Sequence, residues 1–134
     1  MREIKFSYMY QHEETGAWLD VRYTLNEIHH VLPLRRRQQL PRFKLIAKRQ
    51  YTGIKDENGV EIYEGAVLTA QKGTRDSEKS LPIKGALEVH GIHWFINSGA
   101  VLIAGVSGDT LTYLGGVSNI KVVGNIYENP ELLD

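Results

Sequence analysis

Lys55-Asp56-Glu57-Asn58-Gly59-Val60 is the stretch whose reading decides the fold. Asn-Gly tolerates the positive φ values of a tight reversal, and the segments around it, Phe43 to Tyr51 and Val67 to Ala70, are strand-like. The pattern predicts a β-hairpin turning at Asn58-Gly59, with Gly59 at positive φ. Toward the N-terminus, Ile4 to Tyr10 and Trp18 to Tyr23 are rich in aromatic and β-branched residues and are separated by Glu13-Glu14-Thr15-Gly16, the pattern of a hairpin with a longer loop. Thr24-Leu25-Asn26-Glu27 fits a capping box. Leu25, Ile28 and Leu32 at helical spacing, followed by Pro33, predict a helix of one or two turns. Pro33 to Pro41 shows neither periodicity and reads as an exposed connection.

On the C-terminal side, Gln71 to Pro82 is polar and predicts a mobile loop. Leu87 and Val89 alternate, and Ile92, Trp94 and Ile96 continue that apolar set if a β-bulge near Gly91 absorbs one residue. Val101 to Val106 and Leu111 to Leu114 are strand candidates around a turn at Ser107-Gly108-Asp109, and Ile120, Val122 and Ile126 mark a last strand. Asn129 and Pro130 suit the cap and first position of a short terminal helix. Many short strands with frequent turns predict a mainly β protein, a small barrel or highly curved sheet.

At 134 residues the expectation is one domain. Neither a membrane-length apolar run nor an apolar signal stretch is evident, so a cytoplasmic location is expected. The absence of cysteine removes disulfides, thiolate metal sites and cysteine nucleophiles, and it fits a reducing compartment. The 16 basic and 16 acidic residues cancel but are unevenly spread. Between Glu27 and Asp56 there is no acid, while Arg35, Arg36, Arg37, Arg42, Lys44, Lys48, Arg49 and Lys55 supply half of the basic residues. Arginine's planar, five-donor head makes Arg35, Arg36, Arg37 and Arg42 the candidate contact site for an anionic partner. The competing explanation is a solvated surface balanced by acids elsewhere.

Other chemistry is weakly represented. His90-Gly91-Ile92-His93 offers two imidazoles, and a bulge at Gly91 would put both on one face. No third ligand is identifiable, and no bound metal or cofactor is expected. His29-His30 sits at the end of the expected helix, where a structural role suffices. Ser98, Ser107 and Ser118 lack a recognisable base or nucleophile elbow, and Gly105-Val106-Ser107-Gly108-Asp109 lacks a phosphate loop's lysine. Trp94, Tyr51 and Tyr63 would form a peptide groove if exposed, whereas burial would make them core.

Three stretches resemble the YopX family of phage and prophage proteins: Met1 to Phe6, Gln50 to Gly65 (QYTGIKDENGVEIYEG) and Val122 to Leu132 (VVGNIYENPEL). Two positions depart from the family pattern. Ser7-Tyr8-Met9-Tyr10 replaces an aromatic-acidic pair, and Ala66 replaces an acid after Glu64-Gly65. The resemblance implies a single domain over 1–134, with residues 51–134 forming an SH3-like β-barrel and residues 1–50 a small N-terminal α+β extension. It implies no established activity. The expectation is a phage or prophage accessory protein in the bacterial cytoplasm, a non-enzymatic module that binds a host or phage macromolecule. The alternatives are nucleic-acid binding through the basic segment 35–49 and an enzyme with an unrecognised site.

Overall fold

The computed structural model describes residues 4–30, 42–73, 80–90, 93–103 and 106–133. Arg35, Arg36 and Arg37, and the connection from Pro33 to Pro41, lie outside the described residues. The architecture is mainly β, in two compact units, Met1–Gly53 and Ile54–Asp134.

In the first unit, β1 (Lys5–His12) pairs antiparallel with β2 (Trp18–Thr24) and with β3 (Phe43–Lys55), which continues past Gly53 into the second unit. Tyr8 and Tyr23 meet edge-to-face at 5.4 Å and form a small core with Phe6, Tyr10, Val21 and Ile28. The expected capping box is formed at α1 (Leu25–His30). Thr24 N–H and Oγ1 donate to Glu27 Oε1, each at 3.1 Å, and Glu27 N–H donates back to Thr24 Oγ1 at 3.3 Å, satisfying main-chain donors that a helix start leaves unpaired.

The second unit contains β4 (Glu61–Tyr63), β5 (Ala66–Gly73), β6 (Ser80–His90), β7 (His93–Ile103), β8 (Val106–Tyr113) and β9 (Val117–Asn125). Five of these form one antiparallel sheet in the order β8-β7-β6-β5-β9. One face carries the core of Ile62, Ala66, Leu68, Ala70, Leu87, Trp94, Ile96 and Leu114, with Ile83, Val117, Ile120 and Val122 packed against it. The expected turn is present, with Gly59 at φ +82° and Asp56 N–H bonded to Val60 C=O at 2.8 Å. The expected terminal helix is a short 3-10 helix, Pro130–Leu133.

Three expectations are corrected. The polar stretch from Gln71 to Pro82 is strand at both ends, with Gln71↔Pro82, Lys72↔Leu81 and Gly73↔Ser80 in register. Polarity there reflects solvent exposure and not the absence of pairing partners. The expected single bulged strand is instead two: β6 ends at His90, β7 begins at His93, and the pairs His90↔His93 and Val89↔Trp94 make a hairpin. The reversal, not an extra residue, changes the phase of the alternation. Ser107-Gly108-Asp109 lies inside β8, paired with Leu102, Val101 and Ala100. A register shift between Asn97 and Ala100 separates these pairs from the Ile96–Thr112 pair, so an irregularity in the ladder, and not a turn at 107–109, accommodates the change.

Candidate functional site

Asp56 organises the turn that the sequence reading starts from. One carboxylate oxygen, Oδ1, accepts N–H bonds from Asn58 and Val60, both at 2.8 Å, and Oδ2 accepts from Val122 at 2.9 Å. Burial pushes this carboxyl's pKa up. The three N–H donors, from Val122, Val60 and Asn58, outweigh that effect, and the pKa lies below the usual aspartate value. Next to it Glu57 N–H donates to Ile120 C=O at 3.0 Å, and Glu57 also pairs with Lys121 at 3.3 Å. Gly65 N–H bonds Leu87 C=O, and Gly65 C=O accepts from Ile126 N–H at 2.9 Å. Asn125 Oδ1 accepts from Tyr127 and Glu128 N–H at 3.0 and 2.8 Å, while Asn129 Oδ1 accepts Asn125 N–H at 3.3 Å. Ala66, where the family pattern has an acid, is buried in the apolar core. Asp56, Asn125 and Asn129 of the two long motifs are thus committed to main-chain hydrogen bonds within the second unit.

The opposite face of β6, β7 and β8 presents different chemistry. Alternation places Leu87, Trp94, Ile96 and Thr112 inward, so Glu88, His90, His93, Phe95, Asn97, Leu111 and Tyr113 fall on the outer face. His90 packs edge-to-face on Phe95 at 5.7 Å, His93 on Tyr113 at 5.4 Å, and Phe95 lies 5.9 Å from Tyr113. Tyr113 is 51% exposed and Leu111 40%. Glu88 bonds His90 Nε2 at 2.9 Å through Oε2 and accepts from Asn97 Nδ2 at 2.9 Å through Oε1. The His90 bond first, and the Asn97 bond next, hold the Glu88 carboxyl below the usual glutamate range.

The histidine pair does share a face, as the sequence suggests, but through direct cross-strand pairing and not through a bulge. Each imidazole lies against an aromatic ring, and the described residues contain no cluster of three or more metal-binding side chains. The groove of Trp94, Tyr51 and Tyr63 is not formed. All three are buried, at 8%, 5% and 1% exposure, with Trp94 in the apolar core of the second unit. On the outer face the aromatics are the half-buried Phe95 and the exposed Tyr113, which sequence reasoning did not single out. The alternation Trp94-in, Phe95-out, Ile96-in carries that signal, but only once His90 and His93 are placed on opposite sides of a turn.

Of the candidate arginines, Arg42 alone is described. Its guanidinium pairs with Glu14 at 2.6 Å, its C=O accepts Glu13 N–H at 2.7 Å, and its backbone stands at φ +68°. Both contacts tie it to the β1–β2 turn, although the ion pair is more than half exposed and so adds little stability. Further along the basic segment, Lys48 Nζ lies 5.4 Å from the Tyr8 ring, and Arg49 is buried with Nη1 directed at Met9 Sδ at 3.6 Å.

These features define a mainly β protein in which Asp56, Asn125 and Asn129 of the long motifs bond the backbone and the outer sheet face carries aromatic rings. The chain belongs to the YopX family: the family model described as YopX protein matches residues 3–134. No curated protein matches the chain. No helix among the described residues is long and apolar enough to cross a membrane.

Proposed function

We propose that this chain is a phage or prophage accessory protein working in the bacterial cytoplasm as a non-enzymatic interaction module, with the outer face of β6, β7 and β8 as its contact surface. An SH3-like curvature of the second unit is part of this reading. The observation that carries it is the ring cluster of His90, Phe95, His93 and Tyr113, which sits opposite the core and keeps Tyr113 half exposed. Aromatic side chains dominate contact energetics in protein recognition, and a half-exposed ring offers much of its apolar area to a partner. Motif residues Asp56 and Asn125 hold main-chain groups, which favours a scaffold reading over a catalytic one for them.

Affinity capture from lysogenic or infected cells, with nuclease treatment in parallel, tests the proposal. A partner retained by the native protein should survive nuclease and be lost with the double substitution Phe95→Ser, Tyr113→Ser. Retention by that variant would remove the face from consideration. Loss on nuclease treatment would shift the reading to nucleic acid and the basic segment 35–49.

A further inference from the structure

Of the four strands at the edges of the two sheets, β2, β4, β8 and β9, three are instructive to compare. An edge strand exposes a row of unpaired N–H and C=O groups, and proteins usually protect such a row with charges, bulges or covering segments. The β2 edge carries Asp20 and Arg22, paired with each other at 3.4 Å, with Asp20 also accepting from Ser7 Oγ at 2.6 Å. The outer edge of β9 is occupied: Asp56 takes the Val122 N–H, and Glu57 N–H takes the Ile120 C=O. Those two groups point away from β5, so the turn at residues 56–60 closes that side as a strand would. The third edge is β8, at the end of the order β8-β7-β6-β5-β9. It runs eight residues, VSGDTLTY, without lysine, arginine or proline, and no described strand pairs with its outer side. Leu111 and Tyr113 stand exposed at its C-terminal end, on the outer face beside Phe95.

From this juxtaposition we infer that β8 is a strand-addition site for an extended peptide segment of a partner protein. This rests on the proposed contact face and specifies its occupant. The ladder of main-chain groups requires an extended backbone as its complement, with hydrogen bonds supplying affinity and alternate side chains supplying selectivity. Every second side chain of the added strand falls on the outer face, next to Leu111 and Tyr113, and these positions call for apolar residues. Asp109 is the one charged residue of β8, and Glu88 is the acid on the neighbouring face, so the fitting segment also carries a lysine or arginine. A second copy of β8 is a poorer match than such a segment, because VSGDTLTY brings no lysine or arginine of its own.

The test is selection of a random dodecapeptide library on the intact protein, followed by measurements on the enriched peptides made synthetically. They should alternate apolar residues and carry a basic one. Methylating their backbone nitrogens one at a time should weaken binding at least about tenfold at every second position and little in between, because only alternate N–H groups face β8. Bound peptide should slow amide exchange across residues 106–113. Leu111→Ser and Tyr113→Ser should each weaken it while leaving the unfolding midpoint near that of the native protein. The proposal is overturned by failure to enrich any peptide, by methylation effects without a two-residue period, or by protection confined to other strands. A concentration-dependent dimer showing the same β8 protection without peptide would overturn it in favour of self-pairing. If captured partners depend on Phe95 and Tyr113 while β8 stays unprotected, the edge inference fails and the contact face stands. If capture ignores both residues, the face itself fails.

Discussion

The turn around Asp56 and the sheet face around Tyr113 belong to the same unit, yet they use polar and aromatic side chains in opposite ways. Around Asp56, Asn125 and Asn129, polar side-chain atoms meet main-chain donors within the unit. On the outer face of β6 to β8, rings pack on one another and still leave area open to solvent. The difference separates two kinds of sequence signal. A long, specific motif can be specific because the fold needs it, whereas recognition can reside in residues that form no motif.

The contrast can be broken first where the sheet is tightest. Gly85 is buried, and a Cβ there would overlap the Asn97 backbone carbonyl. Gly85→Ala should therefore cost about 3 kcal/mol or more, because the obstacle is backbone and cannot turn aside. A denaturation midpoint close to that of the native protein would show that β6 and β7 can separate locally.

Asp56→Ala should rank next, at about 3 kcal/mol, since three N–H groups lose their acceptor together. Its pH behaviour supplies a second reading. The folded carboxyl has a pKa below its unfolded value near 3.8, so its contribution is fully present above that value. It is lost as pH falls through the lower, folded pKa. Acid titration of stability should steepen below about pH 4 in the native protein and flatten there in Asp56→Asn, checked by denaturant unfolding at each pH. Equal slopes would remove Asp56 from the account of acid stability.

Gly59→Val should cost on the order of 1–2 kcal/mol. At φ +82° a branched side chain strains the backbone, but a Cβ there meets nothing within 4 Å, so no steric term is added. Equilibrium unfolding gives the figure, and an unchanged midpoint would mean the turn can relax. The smallest expected effect is Tyr113→Ser, below about 1 kcal/mol by the same measurement, since the ring is half exposed and packs at the surface against His93, Phe95 and Gly115. A large loss would make that face part of the core and erase the contrast.

The first hairpin, the capping box at Thr24 and Glu27, the Gly59 turn and the burial of Trp94 were legible because each rests on local chemistry or simple alternation. The reversal between His90 and His93 was not. An apolar series running through Leu87, Val89, Ile92, Trp94 and Ile96 fits a bulged strand or a hairpin equally well, and only pairing decides between them. That ambiguity concealed the outer face, because the placement of Phe95 and Tyr113 side by side on it follows from the pairing. The strand ends at Gln71 to Gly73 and Ser80 to Pro82 were hidden for a related reason: a polar strand on a solvated surface has the composition of a loop. The basic segment was visible as composition, but the engagement of Arg42 with Glu14 and of Arg49 with Met9 depends on contacts between distant parts of the chain.

The bond from Val122 to Asp56 spans 66 positions of the chain, and that separation bears on the order of events during folding. The β6–β7 and β7–β8 hairpins join neighbouring stretches and close at little entropic cost, whereas the clasp between residues 56 and 122 must wait until the intervening strands have assembled. A contact made that late is largely absent from the rate-limiting barrier. Its removal then leaves the refolding rate almost unchanged and accelerates unfolding, so Asp56 governs how long the assembled unit persists more than how quickly it forms.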